Sequence, residues 1–326
     1  MARALMSAFA HMGAQVDLAS TFRSRDGVGD AALQADLLAA ADTLIPDIIT
    51  QGRLAKWQAW VTYHSYYKAP DLIGPIVART LGIPFLLIEA TRARKRLGGP
   101  WDAFARASEA ACDAAHVVFY LTERDHEALA KYAPDGQPLI HLRPFLSRTE
   151  LPAQAHGTHL LAVGMMRASA KLPSYELIAQ TLALLPDTTR LEIAGDGPAR
   201  GQVESAFAAF EDRVQFLGAL EPEALTAAYS RAGALIWPGV DEAFGMTYLE
   251  AQAHGLPVIA QNRPGVRDVL FPRAYPEVDL GAQGLADFAA QPTPTPDSIR
   301  AYIRAHHLLP AAAETLRGGL EQVGLT

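Results

Sequence analysis

Short runs of apolar, β-branched and aromatic residues alternate along the chain with longer stretches of helical periodicity. In the first half, the runs that predict strands are QVDLAS, WQAWVTYH, PFLLIEA, HVVFYLT and PLIHLRP. In the second half they are HLLAVGMM, TRLEIAGDG, RVQFLGAL, GALIWPG and LPVIAQN. The stretches between them, such as AALQADLLAAADTLIP and GMTYLEAQAHG, predict helices. This alternation is typical of parallel sheets whose crossover helices cover both faces.

The stretch LSRTELPAQAHGT, residues 146–158, interrupts the alternation and marks a domain boundary. A chain of 326 residues is long for one core and natural for two. We therefore predict an α/β protein of two Rossmann-like domains facing a cleft, residues 1–150 and 151–326, with the last helix a candidate to return to the first domain. Ligands of open α/β sheets bind at the carboxyl ends of the strands, so motifs that follow strands are of most interest.

Composition and charge exclude several classes of protein. The single cysteine, Cys112, rules out an internal disulfide and a metal site built from cysteines. Residues 1–150 hold 16 basic and 16 acidic side chains, so residues 151–326 carry the whole net charge of −7. This balance argues against a nucleic-acid binder, which would show a broad basic face. The single cysteine fits a reducing compartment, so we predict a cytoplasmic protein, and no apolar run reaches the roughly 18 to 20 residues of a membrane span, so we predict no transmembrane segment.

The stretch PGVDEAFGMTYLEAQAHGLPVIAQ, residues 238–261, reads as a loop, a helix and a strand. Its helix is expected to begin near Gly245, where the main-chain N–H groups of Gly245, Met246 and Thr247 point out of the helix N-terminus and favour an anion. Glu242 and Glu250 flank that position at a spacing of eight. Carboxylates repel a phosphate but accept hydrogen bonds from hydroxyls. The pattern therefore suits a sugar, a diphosphate and a ribose bound in a row.

The same stretch resembles the signature of the retaining glycosyltransferases of GT-B fold, family four, also described as glycosyl transferases group 1. That signature has an acid, FG, a second acid eight residues on, and a trailing A-x-G-x-P-V strand, and the chain matches it at Glu242, Phe244, Gly245, Glu250, Ala253, Gly255, Pro257 and Val258. The resemblance implies that Glu242 orients the donor sugar and that Glu250 binds the ribose. It also implies donor contacts from Phe244 to Thr247.

Other stretches match the family in order. LLAVGMMRASAK resembles its first strand and loop of the donor domain, which makes Arg167 and Lys171 the candidates to hold the departing diphosphate. VQFLGAL resembles its base-binding region, so main-chain groups of Leu217, Gly218 and Ala219 would meet the nucleobase. LEIAGDGP resembles a family turn that we interpret as structural.

The first half matches the family more faintly. Many members end the second of two strands with His, whereas this chain has Glu89 after PFLLI. His64 and Glu89, with Lys68 and Arg92, are candidates to line the acceptor side. The basic run TRARKR, Arg92 to Arg96, suggests an anionic or lipid-linked acceptor or a peripheral contact with the inner membrane face, and a solvated helix start explains it equally well. The resemblance implies that the opening helix of this sequence corresponds to the one that follows the family's first strand and Gly-rich loop.

The resemblance implies transfer of a hexose from a nucleotide diphosphate sugar, as co-substrate, to a hydroxyl acceptor with retention of the anomeric configuration. Glu242, Arg167 and Lys171 would serve the transfer, and with no D-x-D motif after a strand we expect no metal and no other cofactor. Two alternatives stay open. One is a non-catalytic GT-B-like nucleotide-binding or scaffold protein, and the other is a nucleotide-sugar epimerase or phosphorylase on the same fold.

Overall fold

The chain folds into two compact units. The computed structural model describes residues 1–169, 171–210 and 212–325. The first unit comprises Met1–Arg143 together with Ala312–Thr326, and the second comprises Pro144–Ala311. We call them unit 1 and unit 2.

Unit 1 contains a four-stranded parallel sheet in the order β1-β2-β3-β4. Its strands are β1 (Trp60–Ser65), β2 (Phe85–Ala90), β3 (Val117–Tyr120) and β4 (Leu139–His141). Its helices are α1 (Ala2–His11), α2 (Ala31–Ala55), α3 (Gly74–Leu81), α4 (Asp102–Ala114) and α5 (Glu123–Tyr132). The first four residues of β2, Phe85 to Ile88, are all buried, as expected for a strand covered by helices on both faces.

The predicted strand QVDLAS is wrong, because residues 15–20 form no strand and take no part in the sheet. A strand of this alternation needs one face against a core, but the side chains of Val16 and Leu18 are both exposed. Asp17 instead accepts a hydrogen bond of 2.8 Å from the indole N–H of Trp57. The segment is therefore an irregular connection between α1 and α2.

Helix α2 continues nine residues beyond the predicted end at Pro46, to Ala55. A proline inside a helix removes one main-chain donor and ordinarily marks a boundary. Here the apolar face continues across Pro46, since Ala41, Ile45 and Ile48 are all buried in one core cluster. Burial of this face offsets the lost hydrogen bond.

Unit 2 contains a five-stranded parallel sheet in the order β7-β6-β5-β8-β9. Its strands are β5 (His159–Val163), β6 (Leu191–Ala194), β7 (Val214–Gly218), β8 (Ala232–Ile236) and β9 (Val258–Ile259). The helices that connect and follow them are α6 (Leu172–Leu182), α7 (Arg200–Ala206), α8 (Pro222–Arg231), α9 (Met246–Ala253), α10 (Gly281–Ala289) and α11 (Pro296–His306). The last helix, α12 (Leu309–Glu321), begins in unit 2. Parallel sheets in both units confirm the predicted α/β class.

The segment after the end of unit 1 is held by main-chain hydrogen bonds within unit 2. The N–H of Leu146 donates to the carbonyl of His307 at 2.8 Å, and the N–H of Leu309 donates to the carbonyl of Arg148 at 3.1 Å. These bonds explain why residues 144–150, which the sequence assigned to the first domain, group with unit 2. Beyond Ala311, the rest of α12 groups with unit 1.

The turn after β6 packs main chain directly against main chain. Gly195 has a φ of +147°, and a Cβ there would collide with the carbonyl oxygen of Gly164 after β5. The N–H of Gly195 also donates to the carbonyl of Gly218 at 2.8 Å. This turn fixes the ends of three neighbouring strands, β5, β6 and β7.

We predict that Gly195→Ala destabilises unit 2 by about 2 kcal/mol or more, because the added methyl meets a carbonyl that cannot move without shifting β5. Gly201→Ala is the matched control, since Gly201 lies in α7 with open space around its Cα, and Ala there should be neutral or slightly stabilising. Urea denaturation of both variants measures the difference. Equal stability of the two would contradict the packing described.

Candidate functional site

The residues singled out in the second half lie at one edge of the unit 2 sheet. All five strands are parallel, so their carboxyl ends meet there. Lys171 follows β5, Leu217 to Ala219 lie where β7 ends, and Glu242 follows β8. From β5 the chain adds β6 and β7 on one side and then returns to add β8 and β9 on the other. The edge between β5 and β8 is therefore a topological switch point, where open α/β sheets bind ligands.

Lys171 and Glu242 meet at this switch point although 71 residues separate them. The ammonium of Lys171 forms an ion pair with Oε1 of Glu242. The side chains are 18% and 13% exposed, so solvent screens the pair only in part. A cation and an acid are thus brought together beside the start of α9.

Trp237, directly after β8, supports this pair. Its indole N–H donates to Oε1 of Glu242 at 2.9 Å, and the Lys171 ammonium lies 5.6 Å from the indole ring centroid. The indole is buried and packs edge-on against Tyr175 at a centroid distance of 5.1 Å. A buried indole N–H needs an acceptor, and Glu242 supplies it. Trp237 therefore restricts where the Glu242 carboxylate lies.

Helix α9 begins at Met246 and leaves its first N–H groups available. Gly245 precedes it with a φ of +76°, and a Cβ there would lie 2.7 Å from the ring of Tyr248. The N–H groups of Gly245, Met246 and Thr247 donate to no acceptor among the described residues. Such N–H groups and the helix dipole favour an anion, and the anion site that the sequence predicts here stays a prediction.

Tyr248 ties the start of α9 to β8. Its hydroxyl donates to the carbonyl of Trp237 at 3.0 Å. Complete burial raises the pKa of Tyr248 well above its usual value, and the nearby charge of Glu242 acts in the same direction. The phenol therefore remains a neutral donor that sets the distance between helix and strand.

Glu250 lies further along α9 and is paired with Arg148. Nη2 of Arg148 is 2.9 Å from Oε2 of Glu250. Burial raises the pKa of Glu250, and the Arg148 guanidinium acts in the opposite direction. Burial is the larger effect, so protonation of Glu250 is easier than that of an exposed glutamate.

The other residues expected around the donor occupy varied positions. Arg167 is exposed and makes no ion pair within the described chain. The side chains of Phe244 and Met246 pack against the hydrophobic core of unit 2, which leaves their main-chain groups at the edge. The hydroxyl of Thr247 donates to the carbonyl of Val163 at 3.4 Å.

The predicted base-binding residues lie where β7 ends. Leu217 and Gly218 are half-buried at the end of the strand, and Ala219 follows it and is exposed. The Gly218 carbonyl already accepts from Gly195, so it has one remaining lone pair to offer. The nucleobase contacts assigned to these residues stay a prediction.

In unit 1 the structure pairs His64 with Glu89, and both have left-handed main-chain conformations, with φ of 64° and 58°. Nδ1 of His64 lies 3.2 Å from Oε1 of Glu89, at the carboxyl ends of β1 and β2. The hydrogen bond with Glu89 raises the pKa of His64. Burial is the main reason for the raised pKa of Asp125, to which the charge of Glu89 also contributes. Non-glycine residues held in this conformation are concentrated at functional sites.

The basic run TRARKR is largely neutralised within unit 1. The side chain of Arg92 is fully buried, with Nη1 2.8 Å from Glu109 and Nη2 2.6 Å from Asp113. Arg94 also pairs with Glu109, and Arg96 lies over the ring of Trp101. The expectation that Arg92 lines an acceptor site is therefore wrong. The sequence shows its charge but not the two carboxylates that α4 brings to it.

Sequence reasoning missed Arg148 and Trp237. Arg148 is 102 residues from Glu250 in the chain and lies in a segment without periodicity, so nothing local connects them. Trp237 gave one usable signal, because an indole at the end of a buried strand requires an acceptor nearby.

The described residues contain neither a membrane-spanning helix nor a metal-binding cluster. In residues 1–169, 171–210 and 212–325, no helix has the length and apolar character needed to cross a membrane. Within these same ranges, no three or more His, Cys, Asp or Glu side chains are grouped so as to hold a metal ion.

The fold is shared with solved glycosyltransferases. The structure of HepE of Anabaena in complex with UDP superposes with a TM-score of 0.66 at 15% sequence identity, covering 86% of this chain and 82% of that one. The two Rossmann-like units thus define a protein of the GT-B fold class.

Residues 157–277 of unit 2 match the family model described as Glycosyl transferases group 1. The sulfoquinovosyl transferase SQD2 of Arabidopsis thaliana is 32% identical over 97 residues, 30% of this chain and 18% of that protein. The D-inositol 3-phosphate glycosyltransferase of Frankia alni is 27% identical over 278 residues, 75% of this chain and 66% of that protein. Alignments with three curated relatives, of which SQD2 is one, span only between 18% and 33% of the lengths of those relatives.

We predict that Lys171 and Glu242 are energetically coupled. Lys171→Met leaves a mostly buried carboxylate whose remaining donor among the described residues is the Trp237 N–H, and it should cost about 3 kcal/mol of unfolding free energy. Adding Glu242→Gln to Lys171→Met should recover much of the loss. A double-mutant cycle in urea measures the coupling. The exposed pair of Arg317 and Glu314 is the control, where the same cycle should give almost none. Equal coupling in the two cycles would contradict the burial argument.

Proposed function

We propose that the protein transfers a hexose from a nucleotide diphosphate sugar to a hydroxyl acceptor, with retention of the anomeric configuration. The observation that carries the proposal is the arrangement at the switch point of unit 2. Three N–H groups at the start of α9, which have no acceptor among the described residues, lie beside the Lys171–Glu242 pair, and Glu250 follows on the same helix. Hydrogen-bond donors that suit an anion thus lie next to carboxylates that can accept hydrogen bonds from hydroxyl groups.

The diphosphate would bind the start of α9 and Lys171. Negative charge accumulates on the departing diphosphate as the bond to the sugar breaks, and fixed N–H groups with an ammonium stabilise it. Arg167, exposed and without an ion pair in the described chain, would supply a second cation. We assign no nucleophilic side chain, and in this proposal an oxygen of the leaving phosphate takes the acceptor proton.

The two acids would bind hydroxyl groups. Glu242 would orient the donor sugar, with its carboxylate restricted by Trp237. Glu250 would accept from the ribose hydroxyls. Main-chain groups of Leu217, Gly218 and Ala219 would contact the base. Because no side chain takes part in these contacts, the sequence does not indicate which base is bound. His64 and Glu89 would bind the acceptor within unit 1, where the hydrogen bond between them fixes the imidazole.

Three observations support this proposal over the alternatives. Residues 157–277 match a transferase family, the relatives named above are transferases, and the HepE structure contains UDP. A non-catalytic protein of the same fold would bind the nucleotide or nothing at this edge, without turnover, so assays of sugar transfer separate it from the proposed enzyme. An epimerase or phosphorylase would act on the donor without a hydroxyl acceptor, so product analysis separates it.

We predict that one of UDP, GDP and ADP selectively stabilises the protein. At a concentration about 100 times its dissociation constant, a nucleotide adds about 2.7 kcal/mol and raises the melting temperature visibly. Glu250→Gln should lose much of this stabilisation, because its neutral amide is a weaker acceptor for the ribose hydroxyls. Glu192→Gln, which removes a similar acid paired with Arg231 at the opposite end of the sheet, should keep it. No shift with any of the three nucleotides would favour the scaffold alternative.

We predict that the sugar keeps its anomeric configuration when the donor is hydrolysed and water takes the place of the acceptor. With the donor chosen from the nucleotide test, the sugar first released should have the anomeric configuration that it had in the donor. Proton NMR in the first minutes, before the free sugar equilibrates, reads that configuration. Release of the opposite anomer would refute retention. Turnover at the wild-type rate in a Glu242→Ala, Glu250→Ala double variant would refute the roles of the two acids.

A further inference from the structure

Arg148 makes a contact with α9 that the proposed function does not yet use. It lies in the segment just after the start of unit 2, and its Nη2 is 2.9 Å from Oε2 of Glu250. Both side chains are about one-third exposed, at 32% and 31%. The pair is therefore neither a fully solvated surface pair nor a sealed one.

The main chain around Arg148 is fixed. Its carbonyl accepts from the N–H of Leu309 at 3.1 Å, and two residues earlier Leu146 donates to His307 at 2.8 Å. Leu146 is also buried in the core of unit 2. A guanidinium that extends from such a fixed position loses less conformational freedom when it pairs than one on a mobile loop.

The pair leaves half of the Glu250 carboxylate available. Arg148 occupies Oε2, and no described residue donates a hydrogen bond to Oε1. A carboxylate accepts hydroxyl donors at both oxygens, so Oε1 can receive a sugar hydroxyl while Oε2 keeps the guanidinium. The hydrogen bond from Arg148 therefore sets the direction in which Oε1 points.

Arg148 also affects the charge of Glu250. Burial favours the protonated acid, and the guanidinium opposes this effect. A protonated carboxyl is a weaker acceptor for a hydroxyl than a carboxylate. Tyr229 and Thr247, which lie close by, bring no further charge. His254, directly after α9, has a pKa that burial lowers and to which the Arg148 charge also contributes, and its Nδ1 lies 2.8 Å from the carbonyl of Ala153. Among the described residues, Arg148 is the cation paired with this acid.

We propose that Arg148 is a positioning residue for ribose recognition. It holds Glu250 ionised and oriented so that Oε1 accepts the 2′-hydroxyl of the donor nucleotide. The inference rests on the proposed function, which places the ribose at Glu250. It adds that selection of a ribonucleotide over its 2′-deoxy counterpart depends on a residue that itself need not touch the ribose.

The experiment compares ribonucleotide and 2′-deoxyribonucleotide binding in the full chain. The probes are UDP, GDP and ADP with their 2′-deoxy counterparts, measured by calorimetry at pH 7.5 and at lower pH. The ratio of the two dissociation constants measures the contribution of the 2′-hydroxyl, because the contacts of the base and the diphosphate are the same in both ligands. The variants are Arg148→Gln, Arg148→Lys and Glu250→Gln, with Arg231→Gln as the control for loss of an Arg–Glu pair elsewhere in unit 2.

We expect the wild type to prefer the ribonucleotide by about tenfold, the value of one charge-assisted hydrogen bond. Glu250→Gln should remove most of that preference at every pH. Arg148→Gln should reduce it several-fold, Arg148→Lys should restore much of it, and Arg231→Gln should leave it unchanged. The melting temperature of each variant without nucleotide shows that it is folded.

The pH dependence separates a positioning role from a purely structural one. In the wild type the preference should fall as pH drops through the pKa of Glu250, because protonation removes the carboxylate. Without the guanidinium this pKa is higher, so in Arg148→Gln the preference should disappear at a higher pH. In Glu250→Gln the preference should not vary with pH.

The outcomes distinguish this inference from the proposed function. A full preference with an unshifted pH profile in Arg148→Gln, combined with its loss in Glu250→Gln, would overturn the role of Arg148 and leave the proposed function standing. A wild type that binds none of the nucleotides would overturn the proposed function itself. A preference reduced equally in Arg148→Gln and Arg231→Gln would also overturn the inference, because it would indicate a general effect of losing an ion pair.

Discussion

Pairing of β5 with both β6 and β8 is the constraint on which the candidate donor site depends. Because β5 is central and every pair is parallel, the loops after β5 and β8 must leave the sheet side by side at one edge. That placement brings Lys171 to Glu242, and Trp237 and Tyr248 then fix the loop and the helix against each other. The site is thus a consequence of strand order more than of any single motif.

Charges at this edge are compensated within the chain. Glu242 is paired with Lys171 and Glu250 with Arg148, so neither acid is buried without a cation. Unpaired buried charges are costly, and these pairs allow acids to lie beside a helix N-terminus without a large loss of stability. A bound diphosphate would compete with Glu242 for Lys171, while a sugar hydroxyl would compensate Glu242. Binding would then exchange partners rather than create new unpaired charges.

Sequence patterns predicted the features that are local or periodic. The alternation of strands and helices, the start of α9 near Gly245 and the acid spacing at Glu242 and Glu250 follow from spacing along one segment. The failures are of a different kind. QVDLAS has the right alternation but no core to face, Arg92 finds its carboxylates on another helix, and Arg148 reaches Glu250 across the fold. Each depends on which distant segments pack together, which the local sequence does not specify.

Trp237 has a practical consequence. The chain contains four tryptophans, and the other three, Trp57, Trp60 and Trp101, all belong to unit 1. The indole of unit 2 is buried, hydrogen-bonded to Glu242 and close to the Lys171 ammonium, so its emission responds to the charge and polarity at that one point. With the three unit 1 indoles replaced by phenylalanine, unit 2 becomes its own optical sensor, and binding of a ligand at the switch point can be followed in real time without any attached label.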